Sequence, residues 1–130
     1  RLCSCFNATL EIIEPCGFHI NDKRLKRVAM DYLDINKIIV HKSYENFLLK
    51  KKNLRVILMT TKAKKKYYEF KFKPKDTLLF GRESAGVPKL VRNNSYERLK
   101  IPLKNKARSL NIGMAAAITL VEALKQNYIL

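Results

Sequence analysis

Apolar and polar positions along this chain follow two periods in turn. Short runs of consecutive apolar, often β-branched residues at 9–14, 37–40, 54–60, 77–80 and 98–101 predict strands. The run Leu54-Arg55-Val56-Ile57-Leu58-Met59-Thr60 is flanked by polar residues, the pattern of a strand buried on both faces, and 77–80 reads the same way. Between the strands the spacing becomes helical. Over 23–33, Leu25, Val28, Ala29 and Leu33 share one face, while Lys23, Arg24, Lys26 and Arg27 lie largely on the other, and Asp22 is placed to cap the start. A short helix over 43–52 is capped by Ser43 with Glu45 in its first turn, and a brief helix follows Pro88. A long helix rich in Ala, Leu, Ile and Val covers 109–127. Strands and helices in alternation predict an α/β fold with a mostly parallel sheet flanked by helices. With no linker, internal repeat or low-complexity tail in sight, the 130 residues read as one domain.

Charge sets this chain apart. Hydrophobic residues at 47% and charged residues at 29% are ordinary for a globular protein, but 27 Lys+Arg against 11 Asp+Glu give a net charge of +16. A field of that sign and size attracts polyanions, nucleic acid first among them. A lysine-rich codon bias would give part of the same excess. The run at 62–66 is either a solvated loop or, through Lys64, Lys65 and Lys66 with Tyr67 and Tyr68 beside them, a grip on an RNA backbone with a ring for a base. No apolar run approaches the roughly 20 residues of a membrane span, and no secretory signal is visible, so the reading is cytoplasmic.

Several chemistries are excluded. The four glycines, Gly17, Gly81, Gly86 and Gly113, cannot spell a dinucleotide-binding G-x-G-x-x-G. Gly81 and Gly86 have the spacing of a phosphate loop, but Val87-Pro88 stands where its Lys-Ser/Thr should be. Cys3, Cys5 and Cys16 are an odd number, as expected of thiols in a reducing compartment. Cys3-x-Cys5 with Cys16 and His19 lacks finger spacing, so no metal site is expected, and His19 and His41 read as structural.

Two segments carry a signal. In Leu78-Leu79-Phe80-Gly81-Arg82-Glu83-Ser84-Ala85-Gly86-Val87-Pro88 a strand ends in a glycine, where backbone can approach a ligand, and a carboxylate follows two residues later. In the second, Ile101-Pro102-Leu103 leads through a loop to Ser109-Leu110-Asn111-Ile112-Gly113-Met114-Ala115-Ala116-Ala117, with polar Ser109 and Asn111 at the mouth of an apolar helix. Taken alone, Ser109 reads as an N-cap and Asn111 as a first-turn polar residue.

Together these segments resemble motifs two and three of the SPOUT methyltransferases, in the SpoU/TrmH-like branch. Arg1-Leu2-Cys3, Ile12-Ile13-Glu14-Pro15, Gly17-Phe18 and Asp22-Lys23-Arg24-Leu25 through Asp31-Tyr32 resemble its small single-domain members, and the likeness runs to about Gln126. The resemblance implies a deep C-terminal trefoil knot in which S-adenosylmethionine (AdoMet) lies bent against the backbone of three loops. These would be Met59-Thr60, Phe80-Gly81 with Glu83, and Ile101-Pro102 through Ser109-Leu110. It implies 2′-O-methylation of a cytidine or uridine at the wobble position of leucine tRNAs, by a homodimer joined through its first and last helices. Arg1 matches the family's motif-one arginine, whose roles would be to bind phosphate and stabilise the developing alkoxide. Glu83 would organise its loop, and Asn111 would hydrogen-bond the ribose or a neighbouring loop. The family's first strand and its motif-one asparagine would precede Arg1, so a sheet one strand short is expected. Open alternatives are another tRNA or ribosomal RNA site, or a truncated RNA-binding member without catalysis.

Overall fold

The computed structural model describes residues 1–16, 27, 38–82 and 85–130. The expected helix over 23–33 lies outside them apart from Arg27, as do Gly17, His19 and Glu83. The chain groups into two compact units, 1–52 and 53–130.

The first unit contains α1 (Leu2–Cys5), β1 (Glu11–Ile13), β2 (Ile39–His41) and α2 (Tyr44–Lys50). The strands are shorter than the apolar runs that predict them, and they pair in parallel with Glu11 opposite Ile39 and Ile13 opposite His41. α1 is one turn that no periodicity foretells. α2 begins as expected: the Ser43 hydroxyl accepts from Asn46 N–H at 3.1 Å, with Glu45 in the first turn and Lys50 in the last. Its Tyr44 and Phe47 are buried, and Phe47 meets the His41 ring edge-on at 5.3 Å.

His41 takes a structural place. It is 2% exposed, and its Nε2 lies 2.6 Å from Glu11 Oε2, while Lys51 pairs with the other carboxylate oxygen. Burial alone would raise the Glu11 carboxyl; hydrogen bonds from Lys51 and His41, with their charges, outweigh it and hold the group below its ordinary value. A depressed carboxyl stabilises the fold above its unfolded-state pKa, and that contribution is lost as pH falls through the lower folded value. Glu11→Gln is therefore expected to flatten the acid side of the stability–pH curve, below about pH 4.5. Urea midpoints of the two proteins that fall in parallel there would contradict this.

The second unit is a four-stranded, all-parallel sheet in the order β4-β6-β3-β5, formed by β3 (Val56–Met59), β4 (Lys65–Lys66), β5 (Thr77–Phe80) and β6 (Glu97–Lys100). All four residues of β3 are buried between β5 and β6, as its unbroken apolar run requires. The expectation of a fully buried strand at 77–80 needs correction. β5 is the outer strand of these four, and its residues are only half-buried. α3 (Lys89–Asn94) starts at Pro88, and α4 (Ile112–Gln126) begins three residues later than the apolar run suggests.

The basic stretch after β3 is more than a loop. Its Lys65–Lys66 pair with β6, Tyr67–Glu69 form a 3₁₀ turn, and Phe70 and Phe72 enter the core with Ile57, Met59 and Leu99. α4 fastens it from the far side: the Gln126 amide donates to Phe70 O at 3.1 Å and accepts from Phe72 N–H at 2.9 Å. Arg55 closes the same region, its guanidinium forked onto Asp76 at 2.7 Å twice and lying over the Phe70 ring at 5.1 Å and the Tyr96 ring at 4.7 Å. The Asp76 side chain is 4% exposed, so Asp76→Ala strands a guanidinium among aromatic rings. It is expected to cost about 3 kcal/mol in urea unfolding, and a loss below about 1 kcal/mol would mean that water replaces the carboxylate.

Candidate functional site

Strand register assembles the candidate site. Met59, the last residue of β3, is the partner of Phe80 on β5 and of Leu99 on β6. Three parallel strands thus end side by side, and the chain leaves them at Thr60, Gly81 and Ile101. Crevices at the carboxyl ends of parallel strands are where α/β sheets hold ligands. Met59 is buried, and Phe80 and Ile101 pack partly exposed against the core, so the floor of this end is apolar.

Each loop is shaped by its own sequence. After β3, Thr60 N–H donates to Leu99 O at 2.8 Å, and the Thr60 hydroxyl accepts from Lys62 N–H at 3.3 Å, turning the chain toward β4. After β5, Arg82 and Gly86 exchange backbone hydrogen bonds at 3.2 and 2.8 Å. That folding-back brings Gly86 over Gly81 so closely that a Cβ on Gly81 would stand 2.6 Å from the Gly86 carbonyl carbon. Gly86 itself has φ +66°, the left-handed region. After β6, a turn closed by Ala107 N–H on Lys104 O carries Asn105 and Lys106 at φ +57° and +58°. Among the described residues this is the one internal backbone hydrogen bond of 103–110, so most peptide groups of the loop are open to a ligand.

The expectation for the helix mouth is reversed. Asn111, not Ser109, is the N-cap: its Oδ1 accepts from Gly113 N–H at 2.8 Å, and Gly113 lets the side chain fold back. Ser109 and Leu110 lie exposed in the preceding loop. Pro102 is exposed one residue beyond Ile101. Arg1 is exposed at the head of the first unit, as N-cap of α1. Glu83 lies outside the described residues.

The lysines separate. Lys64 is exposed. Lys65 lies 3.5 Å from Glu97 and over the Phe70 ring. Lys66 lies 3.6 Å from Glu69, with its ammonium 5.8 Å from the Tyr68 ring. Sequence reasoning missed Lys100, the register partner of Lys66, although the alternation Arg98-Leu99-Lys100 announces two outward cations around a buried leucine.

The chain belongs to the SpoU rRNA methylase family, whose profile matches residues 1–121. A tRNA (cytidine(34)-2′-O)-methyltransferase of Beijerinckia indica is 44% identical over 128 residues, covering 97% of this chain and 80% of that protein; one from Ancylobacter novellus is 41% identical with 97% and 81% covered. A solved structure described by the 2′-OH methylation of C/U34 on tRNA superposes with a TM-score of 0.90 at 32% identity, covering 98% of this chain and 84% of that one. The SpoU methyltransferase AviRb of Streptomyces viridochromogenes, solved with AdoMet, shares the fold at a TM-score of 0.82 and 20% identity, covering 98% of this chain and 53% of its own. The resemblance read from the two segments is borne out, as is the parallel α/β architecture.

Proposed function

We propose that this chain methylates the ribose 2′-hydroxyl of the wobble cytidine, nucleotide 34 of tRNA, with AdoMet as methyl donor, as an enzyme of the TrmL type. Leucine tRNAs are the substrates the sequence resemblance implies. The observation that carries the reading is the shared register at Met59, which sets three ligand-sized loops at one end of the sheet in a chain 44% identical to such a methyltransferase.

The residues present suit the cofactor. Met59, Phe80 and Ile101 offer an apolar floor for an adenine ring, and the open peptide groups of 103–110 offer donors and acceptors for its polar parts. When bound, AdoMet supplies a methyl group on a positively charged sulfur. A ribose hydroxyl is a poor nucleophile, so the protein must hold it in line with the methyl, let its proton leave to the neighbouring phosphate or to water as the oxygen–carbon bond forms and the carbon–sulfur bond breaks, and stabilise the alkoxide that develops. Arg1, a fixed cation, binds the neighbouring phosphate and steadies the developing alkoxide. Thr60, Gly81 and Pro102 shape the ring pocket, Ser109 and Leu110 hold the amino-acid end, Glu83 organises its loop, and the Asn111 amide, its oxygen already engaged in capping, donates toward the ribose.

In this reading residues 1–130 act as one SPOUT domain, the three loops are threaded as a trefoil knot, and the enzyme works in the cytoplasm. Among the described residues no helix is long and apolar enough to cross a membrane. Two copies pair through the last helix and the helix expected over 23–33. Met114 and Val121, seven residues apart on α4, are 58% and 37% exposed on the side away from buried Thr119, as an unpartnered face would be.

Two tRNA transcripts that differ only in a 2′-hydroxyl or a 2′-hydrogen at nucleotide 34 test the proposal. Labelled methyl is expected in the first alone. Equal incorporation into both would move the target elsewhere.

A further inference from the structure

The register between β4 and β6 sorts the basic residues onto two faces. Leu99 is fully buried in the core, so its neighbours Arg98 and Lys100 project to the opposite side, about 6.6 Å apart along the strand. Lys65, register partner of Leu99, lies on the core side: its ammonium packs over buried Phe70 and reaches Glu97, and Tyr67 follows it onto the core. Lys66, register partner of Lys100, projects the other way, about 4.8 Å from it across the ladder. Tyr68 goes with Lys66, its ring 5.8 Å from the ammonium and 49% exposed.

One face of this edge therefore carries Arg98, Lys100 and Lys66 with an exposed tyrosine at its end, preceded by exposed Lys64. The only carboxylate paired with any of them among the described residues is Glu69, at 3.6 Å from Lys66. The ladder ends at Lys100, one residue before Ile101 and the loop of the candidate site. Cations at the step of a nucleic-acid backbone, with a ring beside them, suit phosphodiesters and an unpaired base.

We infer that Arg98, Lys100 and Lys66 form a phosphate track, and Tyr68 a base-stacking site, that lead the substrate RNA strand toward the loops at Thr60, Gly81 and Ile101. Lys65 is no part of the track. The inference rests on the proposed RNA methylation and names the surface by which the substrate is held.

Binding of tRNA across a range of salt concentrations, with AdoMet affinity measured on each protein to verify an intact fold, tests it. Arg98→Gln with Lys100→Gln is expected to weaken tRNA about tenfold or more and to flatten the plot of log affinity against log salt by about 1.4 to 1.8. Arg98→Lys with Lys100→Arg keeps the slope. Lys65→Gln leaves the slope unchanged, and Tyr68→Leu weakens binding about fivefold or more at an unchanged slope. A double variant with the parent slope, or Lys65→Gln flattening it as much per charge, overturns the track. If the parent chain leaves tRNA unmethylated while the double variant still flattens the slope, the track stands and the proposed reaction falls.

Discussion

Exchanging Gly81 for alanine is expected to abolish saturable AdoMet binding and, with it, methyl transfer. A Cβ at this position would stand 2.6 Å from the Gly86 carbonyl carbon and 2.9 Å from both Gly86 Cα and Val87 Cγ1. The first two atoms are backbone, and Gly86 is pinned by its exchanged hydrogen bonds with Arg82, so no rotamer change relieves the clash. Either the Arg82–Gly86 bridge opens or the end of β5 shifts. A displacement of about 1 Å in such a site costs on the order of 100-fold. Gly86→Ala is the informative companion. Among the described residues its Cβ would meet nothing within 4 Å, so it pays only for a side chain at φ +66°, roughly 1–2 kcal/mol. Titration calorimetry on both proteins decides the matter: an unchanged affinity in Gly81→Ala would place the cofactor elsewhere.

Asn111 carries the second large effect, because the proposed reaction gives it a task beside its capping of α4 and substitution separates the two. Its Oδ1 caps α4, and the rest of the amide faces solvent at the helix mouth. Asn111→Ala with Ser109→Ala loses the cap, about 1 kcal/mol, and is expected to abolish turnover while the protein stays folded. Asn111→Ser restores a capping oxygen but no amide N–H. It should recover most of the lost thermal stability while turnover stays about 100-fold down. Near-normal turnover in Asn111→Ser would make the residue a cap and nothing more.

These residues also mark how far the sequence could be read. The strand at 77–80 was legible to the residue because its apolar run is closed by Asp76 on one side and Gly81 on the other. β3 was legible because it is buried on both faces. The two edges of the sheet were harder. β5 has the composition of an interior strand, yet it is the outer strand of the second unit. β4 is two lysines whose strand geometry comes from β6 and not from any propensity of their own. The same gap divided the site. The loops at Met59, Phe80 and Ile101 could be named from motif, but their common level is a property of register, which a single sequence does not print. The exchange of roles between Ser109 and Asn111 has a local cause: Gly113 lets the Asn111 side chain fold back onto its N–H, and a helix can start at either residue on composition alone.

Nucleotide-level mass mapping of a leucine tRNA after incubation with this chain and AdoMet tests the proposed methylation directly. A single added methyl is expected, on the ribose of nucleotide 34, and none when AdoMet is omitted. A methyl on a base or at another nucleotide, or no methyl from a chain that binds both AdoMet and tRNA, would contradict it.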